Sequence, residues 1–120
     1  MYNANGADGT PVWEQLSVSG PPAARNFHLA TYDATNNRMT IFGGNAGAAS
    51  YTDVWVLVNA NGYGTPSWLR LAPTGKILPS ARNSHAGACD PVDDIQMTFG
   101  GDNADAWFLG PWILTDANGL

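Results

Sequence analysis

Arg25-Asn26-Phe27-His28, followed by Asp33 and then Phe42-Gly43-Gly44, returns 57 residues later as Arg82-Asn83-Ser84-His85, Asp90 and Phe99-Gly100-Gly101. Trp55-Val56-Leu57 returns as Trp112-Ile113-Leu114 at the same offset, and Tyr51 meets Phe108. Over residues 25–62 and their partners, 13 of 38 positions are identical. Chance would give about one in fifteen, so the chain is an internal duplication. Ala-Asn-Gly begins at 4, 60 and 117, and Trp13-Glu14-Gln15-Leu16 matches Trp68-Leu69-Arg70-Leu71 at an offset of 55.

Each copy reads as short β-segments separated by turn chemistry. The expected strands are about 27–32, 38–43, 53–59 and 67–71 in the first copy, and 84–89, 95–100 and 111–115 in the second. Asp33 to Asn37, Asp90 to Asp94, Asn61-Gly62 and the Pro-rich stretches 20–22 and 73–79 are the breaks. With 14 Gly and 8 Pro in 120 residues, and no sustained i, i+3, i+4, i+7 pattern, the fold class is all-β. Pro111 cannot donate to a ladder, so the last strand is expected to begin beyond it.

Composition narrows the function classes. The chain is 44% hydrophobic and 12% charged, apolar enough to bury a core as one domain over 1–120. Five basic against ten acidic residues leave a net charge of −5, which disfavours a nucleic-acid surface. One cysteine, Cys89, excludes an internal disulfide or a multi-cysteine zinc site, and its place in the repeat marks a small buried residue. No apolar run reaches the length of a membrane span. The first residues lack the basic start and apolar stretch of a secretion signal, which leaves the compartment unknown: a soluble protein, cytoplasmic or secreted with its signal removed.

The ordered set Arg-x-x-His, Asp, Phe-Gly-Gly, Tyr51-x-x-x-Trp55 and Trp68-x-x-Leu71, seen twice with a period near 50, resembles the kelch repeat. The second copy departs in Phe108 for Tyr51, Gly110-Pro111 for Asp53-Val54, and a shifted apolar phase (Ile95, Met97 and Phe99 against Met39 and Ile41). The resemblance implies that each repeat (about 12–66 and 67–120) is one four-stranded antiparallel blade of a β-propeller, a closed ring of roughly 4–8 blades. Two blades close no ring. The segment 12–16 matches a fourth, outer strand, and the second copy stops after its third. The resemblance therefore implies that 12–16 closes a neighbouring chain's last blade, with a six-bladed cyclic homotrimer favoured over an eight-bladed tetramer. A fragment of a longer propeller is the alternative.

The site residues follow from the same alignment. Gly43, Gly44, Gly100 and Gly101 are expected to permit close backbone approach, and Trp13, Trp55, Trp68, Trp112 and Tyr51 to pack between blades. His28 and His85 read as packed residues rather than metal ligands, since no carboxylate stands at a fixed short spacing. Asp90, Asp93 and Asp94 read as a solvated turn rather than a calcium loop. Arg25, Arg82, Asn26 and Asn83 lie near a loop face, and together with Trp107, which replaces Ser50 in a polar loop, are the candidate ligand contacts. No cofactor is expected. The favoured function is a self-assembling binding scaffold presenting loops 45–50, 72–81 and 102–107 to a protein, peptide or carbohydrate. An enzyme is the less favoured reading, as a sugar mutarotase-like activity at the channel mouth.

Overall fold

The computed structural model describes residues 9–120, so the Ala-Asn-Gly at 4–6 lies outside the described residues. The fold is all-β with antiparallel sheets. The first repeat supplies β1 (Leu29–Asp33), β2 (Arg38–Phe42), a small hairpin of β3 (Asn45–Ala46) and β4 (Ala49–Ser50) and β5 (Val54–Val58), and its sheet takes in β6 (Ser67–Leu71) from beyond the expected boundary at 66. Its main sheet runs β1-β2-β5-β6. The second repeat supplies β7 (Ala86–Asp90), β8 (Ile95–Phe99) and β9 (Pro111–Thr115), in a three-stranded sheet of that order.

The duplication is carried into the backbone. Phe42 pairs with Val54 as Phe99 pairs with Pro111, and Leu29 pairs with Phe42 as Ala86 pairs with Phe99. Among the described residues, the six non-glycine residues with positive φ fall into three pairs 57 apart: Phe27 and Ser84, Asn37 and Asp94, Asn59 and Asp116. A bulky phenylalanine at φ 52° is an uncommon cost, and it recurs as a serine because the same turn follows the Arg-Asn pair in both repeats.

The structure differs from the expectations at Pro111, at residues 13–18 and at Cys89. Pro111 is the first residue of β9, opposite Phe99, because the start of a strand tolerates a missing donor. Residues 13–18 form no strand, and Val12 makes only an isolated bridge. Cys89 is half-buried, its thiol 3.4 Å from the Tyr32 carbonyl oxygen across the two sheets.

The two sheets meet along β1 and β7. Gly87 makes this approach possible, since a Cβ there would collide with the Met97 carbonyl oxygen and lie 2.5 Å from Leu29 Cδ2. Polar cross-links fix the angle. Gln96 Nε2 donates to Thr31 Oγ1 at 2.8 Å, Thr40 Oγ1 to the Ala117 carbonyl at 2.8 Å, and Arg38 to the Asn118 carbonyl at 2.7 Å. The His85 ring packs edge-on against Phe42, with centroids 5.1 Å apart.

The apolar core is lopsided. Among the described residues its members are Leu29, Ile41, Phe42, Val54, Val56, Leu57 and Ala117, and all but the last belong to the first repeat. β8 alternates in burial, whereas Thr40, Ile41 and Phe42 of β2 are all buried. Polar Gln96 and Thr98 point into the molecule and are buried, while Met97 and Phe99 point out.

Candidate functional site

Both Arg-Asn segments and both β2–β5-type connections converge at one end of their sheets. Asn26 exchanges two backbone hydrogen bonds of 2.9 Å with Asn45, and Asn83 does the same with Asp102 at 2.9 and 3.0 Å. The candidate residues are therefore gathered by backbone pairing.

Arg25 is a fully committed cation. Its Nε donates to the Ala23 carbonyl at 3.1 Å and its Nη1 to the Gly43 carbonyl at 3.0 Å. Nη1 and Nη2 form a two-pronged ion pair with the Asp53 carboxylate, and the guanidinium lies 4.3 Å from the centre of the Tyr51 ring. Trp55 Nε1 donates to Asp53 Oδ2 at 2.7 Å. The Arg25 hydrogen bonds, joined by that of Trp55, outweigh burial and hold Asp53 below the ordinary carboxylate range. Planar bidentate pairing of this kind needs arginine specifically.

Arg82 repeats the frame without the acid. Its Nε donates to the Ser80 carbonyl at 3.1 Å and its Nη1 to the Gly100 carbonyl at 2.9 Å, while the guanidinium sits 4.6 Å from the Phe108 ring centre. The residue is 2% exposed. Burial pulls its pKa down. Gly110 stands where Asp53 stands in the first repeat.

His85 is buried among Phe42, Gly43 and Gly101, and among the described residues neither imidazole nitrogen has a hydrogen-bond partner of good geometry. Burial, reinforced by the nearby Arg82 charge, lowers its pKa and keeps it neutral. His28 is exposed. No group of three or more His, Cys, Asp or Glu side chains could hold a metal ion among the described residues.

The remaining candidates divide by repeat. Asn83 is buried, with Nδ2 on the Asp102 carbonyl at 3.1 Å and Ser50 Oγ at 3.4 Å, whereas Asn26 is exposed. Gly43 and Gly44 both have positive φ, and a Cβ would lie 2.6 Å from the Arg82 carbonyl oxygen at the first and 2.7 Å from that of Asn26 at the second. Gly101 meets the Asn83 carbonyl at 2.6 Å in the same way, and a Cβ at Gly100 would find ordinary contact. Trp55, Trp68 and Trp112 are half-buried, and Tyr51 lies under Arg25. Trp13 and Trp107 are 83% and 84% exposed. Asp90 caps its own turn by accepting from the Val92 and Asp93 amides, as Asp33 does from Thr35 and Asn36.

A cleft of about 400 Å³ lies between the sheets, lined by Phe42, Val54, Gln96, Thr98 and Trp112 and roofed by Ile77 and Leu78 of the connection between repeats. Two contributors escaped the sequence reading. Asp53 was visible only as an unmatched acid opposite Gly110, and Gln96 as a polar residue in an apolar strand. No family model and no curated protein matches the chain.

Proposed function

We propose that the chain is a two-blade, kelch-like unit that assembles head to tail into a six-bladed homotrimeric β-propeller and serves as a binding scaffold. The carrying observation is the one-sided burial of equivalent residues. Phe42 is 4% exposed beneath the second sheet, and its counterpart Phe99 is 55% exposed beneath nothing. Unpartnered apolar faces of this kind mark association surfaces.

The junction inside the chain supplies the pattern for the junction between chains. Phe42 against His85 becomes Phe99 against His28 of a second copy. The bond from the Gly44 amide to the Arg82 carbonyl, 2.8 Å, becomes one from Gly101 to Arg25 of that copy. A heterologous contact that repeats itself closes into a ring when its rotation divides a full turn.

β9 is the edge of its sheet, where β5 is covered by β6. The occupant of that edge is residues 12–16 of a second copy, the segment that matches β6. Carrying over the β5–β6 register places Leu114 opposite Trp13 and Thr115 opposite Val12. Strand addition of this kind draws its affinity from main-chain hydrogen bonds. In the ring, the 45–50, 72–81 and 102–107 loops and the exposed Trp107 recur around one axis and offer a multivalent surface to a protein, peptide or carbohydrate.

The test is a cysteine pair, Val12→Cys with Thr115→Cys, in a Cys89→Ala background. Oxidation should give covalent oligomers on a non-reducing gel, and Val12→Cys with Ile113→Cys, two residues out of register, should give few. Equal cross-linking of both pairs, or none of either, contradicts the strand exchange.

A further inference from the structure

The first repeat contains a complete carboxylate receptor with its carboxylate built in, and the second contains the receptor alone. In the first, Asp53 accepts from Arg25 Nη1, Arg25 Nη2 and Trp55 Nε1. In the second, Arg82 is held by the same two anchors. Nε goes to a carbonyl two residues before it and Nη1 to the carbonyl of the first glycine of the pair, each within 0.1 Å of its counterpart. The ring beneath it is equivalent too, Phe108 for Tyr51. Two fixed hydrogen bonds and a stacked ring determine a planar guanidinium, so its remaining edge points to the side on which Asp53 lies in the first repeat.

The counterpart of Asp53 is Gly110, whose backbone is left-handed (φ 96°) where that of Asp53 is not, and nothing lies within 4 Å of a Cβ built there. Arg82 Nη2 donates to no group among the described residues, and its residue is almost wholly buried. Trp112, at the register position of Trp55, likewise has no acceptor for its indole N–H among the described residues. A guanidinium so little exposed is ordinarily paired with a counter-charge, and none is found for Arg82 among the described residues.

We propose that Arg82 and Trp112 form a binding site for the carboxylate group of a small-molecule ligand, seated over Gly110 in the place that Asp53 fills in the first repeat. The site lies within one chain, so it stands or falls separately from ring assembly. It also separates the two arginines: Arg25 is internally satisfied, and Arg82 is the one free to receive a ligand.

The experiment uses acetate as the probe, with acetamide and chloride as controls at matched concentration. Acetate should shift the Trp112 indole and Arg82 Nε–H resonances saturably, and at ten times its dissociation constant raise Tm by about 5 °C. Gly110→Asp and Gly110→Asn carry the same backbone strain and differ only in charge. The Asn variant should keep the acetate response and the Asp variant should lose it, because its own carboxylate fills the site. Asp53→Gly should add a second acetate-responsive site at Arg25. An acetate effect no larger than that of acetamide or chloride overturns the proposal, as does an equal response in the Asp and Asn variants. A response that fades as protein concentration rises assigns the carboxylate to a second copy and overturns the small-molecule source.

Discussion

Val56 and Ile113 hold the same place in the two repeats, yet Val56 is fully buried and Ile113 is 65% exposed. Val56 lies in β5 between β2 and β6, and Ile113 in β9, which has β8 on one side and, among the described residues, no strand on the other. Identical local sequence logic thus yields opposite environments, and the difference is the missing neighbour.

Charge substitution should separate the two positions. Val56→Asp buries an unpaired carboxylate and should abolish folding, at a cost of several kcal/mol. Ile113→Asp should leave the circular dichroism spectrum unchanged and reduce the native mass to that of one chain. Sedimentation velocity alongside the spectra reads both.

The Arg25–Asp53 pair should be worth more than a surface ion pair. Asp53→Ala strands a buried guanidinium and the Trp55 indole, and should cost about 3 kcal/mol in urea unfolding. Asp53→Asn keeps one acceptor and should cost less. Equal stability of Asp53→Ala and the parent protein would contradict the geometry.

The glycine pair can be tested against a control. Gly43 (φ 66°) and Gly47 (φ 62°) share a left-handed backbone, but a Cβ at Gly43 would lie 2.6 Å from the Arg82 carbonyl oxygen and one at Gly47 meets nothing within 4 Å. Gly47→Ala should cost about 1 kcal/mol from strain alone. Gly43→Ala should cost at least twice that, because the junction between sheets must open. Matched denaturant midpoints for the two variants would refute the close approach.

Stability should fall in two stages as pH drops. His85 is held neutral, below its ordinary value of 6.5, by burial and by Arg82. A depressed histidine contributes stability that is complete above the unfolded pKa and is lost as pH falls beneath 6.5, with a slope of at most about 1.4 kcal/mol per pH unit. Asp53 is lowered by Arg25. Asp33 is pushed up by burial but pulled further down by hydrogen bonds from Asn36, Asn118 and Thr35. Their contribution is intact above 3.8 and disappears as pH falls through their lower folded values. His85→Gln should remove the first stage and keep the second. A parent protein equally stable at pH 7 and pH 5 would exclude the first.

Much of this architecture is legible in the residues themselves. The Arg-Asn-x-His and Phe-Gly-Gly periodicity places seven strands within about two residues of their observed ends, because turn residues such as Asp33 and Asn61 act locally. The β3–β4 hairpin was invisible, since Asn45 to Ser50 carries no alternation and is held by the Asn26 bridge. Pro111 looks like an obstacle in sequence because its tolerance depends on standing first in β9. In the site, Arg25 and Arg82 look alike in sequence. Only the geometry shows that Asp53 occupies one of them, and that Gly110 leaves the other open.

The most direct measurement is the native mass in dilute solution, by light scattering or native mass spectrometry. Propeller closure predicts a single species of three chains that survives dilution and collapses to one chain with Ile113→Asp. A well-folded, non-aggregating single chain at every concentration, with Phe99 and Ile113 still exposed, would contradict it.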